Sequence, residues 1–338
     1  MFSDSYLALK QAAAIGAVAP RTAIGISGKD RAAYLQGLLT NDMQALTAGS
    51  GCYAAWLTPQ GRMLTDLHIF ESGDMILLDV PAELAQATLQ RLDQFLFSED
   101  VQFADLSEAL TSVWVHGPAA GSILERVLTL DAARPFTGRE NLNDWPEYHN
   151  ARAAFSGSPV VVARVSQLGV PGFCVYVEPA RAGDLKNALQ AAGATMADPA
   201  AIETARIEAG YPLFGIDMTE DTIPLEAGIE DRAISLSKGC YVGQEVIIRV
   251  LHRGGGRVVR KLIALRLEGE PPARRSKIWS GEREIGVVTS AAPSSRLGAI
   301  ALGYVHRDFV DPGTKVEIES ADGRTAAVVS ERPIPVEA

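Results

Sequence analysis

Residues 206–257 read RIEAGYPLFGIDMTEDTIPLEAGIEDRAISLSKGCYVGQEVIIRVLHRGGGR, and the chain changes character on either side of them. Upstream, helical and extended patterns alternate. Downstream, past a loop reading EGEPPARRS after Leu267, only short strand-like runs remain. Within the stretch the local charge inverts. Lys238 to Lys261 carries six basic residues (Lys238, Arg249, Arg253, Arg257, Arg260, Lys261) against one acid, Glu245. The whole chain has 31 Lys and Arg against 41 Asp and Glu, a formal charge of −10. A field of that sign opposes nucleic-acid binding through the overall surface, so an anionic ligand must be met locally.

Working back from Arg206, Asp198, Pro199 and Gly210 supply the cap, first-turn proline and stop of a helix over 199–209. Another helix is expected near 184–192, and strands at 160–165 and 173–177. A helix opened by Pro118 follows a strand at 113–115. MILLDV (75–80) is a strand stopped by Pro81, ahead of a helical face formed by Leu84, Thr88, Leu89, Leu92, Phe95 and Leu96. The periodicity of Ala33, Leu35, Leu38, Leu39 and Met43 predicts a helix over 30–46 with Asp30 as its N-cap. Working forward, closely spaced strands at 277–279, 284–289, 300–305, 315–319 and 326–329 suggest a small antiparallel barrel or sandwich. The fold class is therefore α+β layers followed by an all-β unit, and 338 residues suffice for two or three domains.

Several familiar signals fail. GISGKD (25–30) lacks the leading glycine and trailing Ser or Thr of a phosphate loop, and Gly254 to Gly256 put Val259 where a dinucleotide fingerprint needs its third glycine. The five histidines have no metal-ligand spacing, and Cys52, Cys174 and Cys240 form no CxxC pair, so neither a metal site nor a disulfide framework is expected. Apolar composition is 47% and charged 21%, which suits folded cores. The uncharged stretch from Ala12 to Pro20 is too short to span a bilayer, and Asp4 precedes it where a signal peptide wants basic residues; the expectation is a cytoplasmic protein without membrane contact. Cys240 lies between Gly239 and Gly243 with Lys238 two residues away, which suits either an accessible thiol with lowered pKa or a small thiol buried in a tight turn.

KGCYVGQE (238–245) resembles the signature of the YgfZ family of folate-binding proteins, relatives of the glycine-cleavage aminomethyltransferase that assist iron–sulfur enzyme maturation. The resemblance covers most of the chain, with landmarks in order at YLQGLLTND (34–42), LTPQGRMLTDLHIF (57–70), VHGPAA (115–120), RIEAGYPLFGID (206–217) and IPLEAG (223–228). It implies a three-domain ring around a channel. Two interleaved α+β domains would occupy residues 1–253 and a C-terminal antiparallel β-barrel 254–338, with tetrahydrofolate or a derivative in the channel. It also implies a helix opening after Gly243, where Val246, Ile247, Ile248 and Val250 favour strand by propensity.

The resemblance implies an accessory factor for assembly or repair of iron–sulfur enzymes acting through Cys240, with client enzymes or cluster carriers as partners. One thiolate cannot complete the usual four-cysteine ligation, so any cluster would be transient and shared. The alternative is a folate-dependent aminomethyltransferase. Asp66 matches the aspartate with which those enzymes steer the folate nitrogen, and it reads equally as a turn or cap residue before a strand at 67–70. The acid that grips their pterin falls at Cys174 and a nearby arginine at Ile202, neither able to make a charged hydrogen bond. They also lack a cysteine at 240. Arg206, Glu208, Lys238, Tyr241, Gln244, Arg249 and Arg253 are further candidate folate contacts. Their plainer readings are a surface ion pair for Arg206 and Glu208, packing for Tyr241, and a solvated basic face for Arg249, Arg253 and Arg257.

Overall fold

The computed structural model describes residues 3–131, 141–253, 257–321 and 323–335. A seven-stranded sheet has the order Thr195–Met196, Ala14–Ile15, Thr111–His116, Gly172–Val177, Ser158–Arg164, Asn150–Phe155, Thr129–Leu130. A five-stranded antiparallel sheet has the order Gly51–Leu57, Met63–Glu71, Ile76–Pro81, Arg21–Ser27, Gln102–Asp105. The second sheet is inserted in sequence between the first two strands of the first. That interleaving agrees with the expectation for the N-terminal region.

The period-two alternation of strand side chains builds the layers. Val113, Val115, Phe173, Val175 and Val177 face the helices Ala120–Val127 and Pro179–Ala191 in one core. Ile24, Ile26, Leu67, Ile69, Leu78 and Val80 face the helices Arg31–Leu38 and Ala85–Gln94 in another. The opposite faces meet each other through Ala23, Phe70, Leu77, Trp114, Ala163, Cys174 and Tyr176. Each strand thus alternates between an apolar helix-facing core and an inter-sheet layer.

The third unit is a closed six-stranded antiparallel barrel: Arg260–Leu267, Gly298–His306, Arg283–Ser294, Lys277–Ser280, Lys315–Ser320, Gly323–Ser330. Its first strand was not anticipated, because RKLIALRL adjoins the glycine run and reads as part of the basic segment. The helix predicted over 30–46 stops at Leu38: Leu39 is extended and bridges Trp56. Asp30 sits at its N-cap position, but its carboxylate accepts from the Asp100 amide instead of capping. Asp198 does cap its helix, accepting from the Ala200 amide at 2.9 Å. Gln244–Arg253 is helical, as the resemblance implies and against local propensity, because Ile247 is buried and Val250 and Leu251, one turn on, pack in the same core. No helix among the described residues is long and apolar enough to cross a membrane.

Candidate functional site

The inter-sheet layer holds a dense buried polar cluster. The residues that alternation turns inward include Arg21, Asp66, His68, Asp79 and Tyr176. Arg21 donates to Asp66 at 3.0 Å and is ion-paired with Asp79. Tyr53 donates to the other Asp66 oxygen at 2.8 Å, and Tyr176 to Asp79 at 2.5 Å. Burial opposes the charge on both carboxylates, yet the Arg21 guanidinium holds each below the ordinary carboxylate range. Asp66 is 2% exposed and lies inside the strand Met63–Glu71, so it is neither a turn residue nor at a strand start. Both of its oxygens are taken. Beside it the rings of Tyr148, His68 and Tyr53 stack, with Tyr148 6.0 Å from His68 and 6.4 Å from Tyr53. Tyr148 is half-buried and holds φ at +64°, a conformation strained for a bulky side chain and common at functional sites.

Arg206 and Glu208 are elsewhere. They sit on the helix Pro199–Glu208 and tie it to the barrel strand Arg283–Ser294. Arg206 is fully buried and donates to Asp217 (2.7 Å), Ser290 (2.8 Å), Glu203 (2.6 and 2.8 Å) and the Tyr211 carbonyl (2.6 Å). Asp217 in turn accepts from Ser290 and Thr289. Glu208 accepts from Tyr6 and Ser294 and pairs with Lys10. The reading of this pair as a surface ion pair is corrected: RIEAGYPLFGID is a saturated, buried inter-domain joint.

The KGCYVGQE loop is anchored at Lys238, Tyr241, Val242 and Gly243, while Gly239, Cys240 and Glu245 are exposed. Lys238 is buried and donates to the carbonyls of Gln36, Leu39 and Asn41 at 2.6–2.8 Å, covering the C-terminal end of the helix Arg31–Leu38. Burial pulls its ammonium down to about 8, with Asp42 and Cys52 acting the other way. Its charge is committed to carbonyls, not to the Cys240 thiol. Tyr241 is buried in the core beneath the strand Gly51–Leu57, which supports its packing reading. Val242 packs against the helix-facing core, and its amide donates to Gly37. Gly243 has φ +84°, and a Cβ there would approach the Thr58 carbonyl to 2.5 Å, so only glycine fits. Gln244 is half-buried at the helix start. Gly239 and Cys240 are exposed. The other two cysteines differ. Burial pushes Cys52 up to about 12, partly offset by Lys238, and drives the fully buried Cys174 well above the ordinary thiol value. Arg249 is exposed, and the Arg253 side chain lies outside the described residues.

Residues 2–238 match the GCVT N-terminal domain model and residues 260–334 the glycine cleavage T-protein C-terminal barrel domain. The chain belongs to the glycine-cleavage T-protein family. It is 32% identical over 314 residues to an aminomethyltransferase of Rubrobacter xylanophilus, covering 92% of this chain and 78% of that one. An aminomethyltransferase of a Nostoc species is 29% identical over 316 residues, covering 91% and 81%. The crystal structure of glycine cleavage system aminomethyltransferase T from Bartonella henselae superposes with a TM-score of 0.83 at 23% identity, over 97% of this chain and 88% of that one, and so shares the fold.

The two positions that the resemblance sets against a charged pterin clamp are core. Cys174 is 0% exposed in the inter-sheet layer, and Ile202 is 4% exposed among Tyr6, Leu9 and Ala205, where its methyl group would meet any Cβ placed at Gly16. Of the polar cluster only Asp66 was named from sequence; Arg21 and Asp79 were missed, although their signal was present, since Arg21 in RTAIGIS and Asp79 in ILLDVP are single charges within apolar strands. A lone charge there must find a buried partner.

Proposed function

We propose that this member of the T-protein family binds a reduced folate beside the Tyr148–His68–Tyr53 stack and serves assembly or repair of iron–sulfur enzymes through Cys240, as its resemblance to the YgfZ signature implies. The observation that carries the reading is the loop: Lys238, Tyr241, Val242 and Gly243 are all committed to structure, and the thiol between them is left in the open. A half-buried tyrosine ring held in a strained conformation suits an aromatic heterocycle such as a pteridine, and Tyr148 would be its platform. The charged clamp does not fit: Cys174 and Ile202 offer no charge, and both Asp66 oxygens already accept from Arg21 and Tyr53 in a buried setting. Folate would be held by stacking. A cluster, if handled, is cargo ligated jointly with a client enzyme or carrier.

A second reading, folate-dependent aminomethyl transfer, is favoured by the names of the relatives and by the presence of Asp66. Two measurements separate the readings. Calorimetry with tetrahydrofolate and 5-formyltetrahydrofolate should show binding that weakens in Tyr148→Ala; no heat at millimolar ligand removes folate from the account. Incubation with aminomethylated lipoyl carrier protein and tetrahydrofolate should give no methylenetetrahydrofolate. Turnover abolished by Asp66→Asn in a folded variant would make the protein a transferase.

A further inference from the structure

A second polar feature lies between the RIEAGYP turn and the C-terminal tail. A cavity of about 210 Å³ is lined by Gly210, Tyr211, Gly228, Asp231, Arg232 and Arg332, among others. The Arg232 guanidinium stacks 4.1 Å from the Tyr211 ring centre and 4.8 Å from that of Tyr53, and its Nε and Nη2 are buried without a hydrogen-bond acceptor. Arg332 threads between two glycines. A Cβ at Gly210 would approach its Cγ to 2.0 Å, and one at Gly228 its Nη2 to 2.5 Å. Its Nη2 donates to the Ala227 and Gly228 carbonyls at 2.6 and 2.7 Å, while Nη1 is buried with no acceptor. Among the described residues no carboxylate forms an ion pair with either guanidinium. Asp231 lines the cavity without pairing, and the Oε2 of neighbouring Glu230 is itself buried and unpartnered.

We infer that this cavity binds a small oxyanion, a phosphate or a short carboxylate, between the Nε–Nη2 edge of Arg232 and the Nη1 of Arg332. An acceptor that reaches two like charges with unmet N–H groups in one cavity stabilises both, and the planar Nε–Nη2 edge of Arg232 takes a phosphate or carboxylate oxygen pair through paired hydrogen bonds. The volume is below the ~300 Å³ at which drug-sized sites begin, which favours a small anion over a nucleotide. The internal rival is Glu230, which could swing onto Arg332 and close the site. The inference does not depend on folate or on Cys240.

The test uses the full chain in chloride buffer of constant ionic strength, titrated with inorganic phosphate and with glutarate by calorimetry and thermal melting. Saturable one-to-one binding and a rise in Tm are expected for at least one of them. Arg332→Gln, its fold checked by circular dichroism, should weaken binding by about tenfold or more, and Arg332→Lys should fall between because it keeps the charge and loses the fork. If Arg332→Gln fails to fold, the wild-type isotherm decides alone. No saturable response at tens of millimolar of either anion, or an equal response in Arg332→Gln, overturns the inference.

Discussion

The two motifs that mark this chain, RIEAGYPLFGID and KGCYVGQE, use the same residue types for opposite ends. In the first, Arg206 and Asp217 pair with each other and with barrel hydroxyls, and Glu208 is held separately by Tyr6, Ser294 and Lys10, so all three charges are committed within the joint. In the second, Lys238 is equally saturated, but its anchoring leaves the neighbouring Cys240 exposed. A charged residue in a motif is thus no guide to ligand contact until its hydrogen bonds are counted. What separates a joint from a working loop is the group left over.

That contrast can be broken most forcefully at the joint. Arg206→Met leaves Asp217 buried without its cation, and removing one partner of a buried pair costs about 3–5 kcal/mol; a large fall in Tm is expected, and a melt within a degree of wild type would mean the joint is not structural. Next comes acid. His116 is fully buried, and burial pulls it down to about 4 from 6.5, with the Gly16 backbone acting the other way. Because the unfolded chain takes up the proton first, stability is present above pH 6.5 and falls as pH drops toward 4, by roughly 3 kcal/mol from this residue. Urea unfolding at stepped pH, with His116→Phe as a flatter control, checks the sign.

Smaller effects sharpen the loop side. Gly243→Ala adds a Cβ against the Thr58 carbonyl at positive φ and should cost roughly 1–3 kcal/mol. Cys240→Ala, at an exposed position, should change stability by less than about 0.5 kcal/mol in urea unfolding. A larger loss than Gly243→Ala would place the thiol in the packing and erase the contrast.

Much of the layering was legible because it is local. The apolar run MILLDV ending at Pro81, the cap and proline at 198–199 and the turn-punctuated strands after 277 all report short-range rules that the structure keeps. What could not be read is long-range. The helix expected to reach residue 46 ends at 38 partly because Lys238, 202 positions beyond Gln36, takes up the carbonyls of its last turn. Arg21 and Asp79 were visible as lone charges in strands, but their mutual contact and their neighbour Asp66 depend on sheet order. The helix Gln244–Arg253 came from resemblance, since its β-branched residues point to strand until the core that Ile247 enters is known.

The central claim is that KGCYVGQE is built to expose one thiol, and it is tested most directly by complementation in cells lacking their own family member, reading the activity of an iron–sulfur enzyme at matched protein abundance. The account predicts that Cys240→Ala gives no rescue, while Cys52→Ala and Cys174→Ala, whose thiols are held protonated by burial, rescue as wild type does. Full rescue by Cys240→Ala would contradict it.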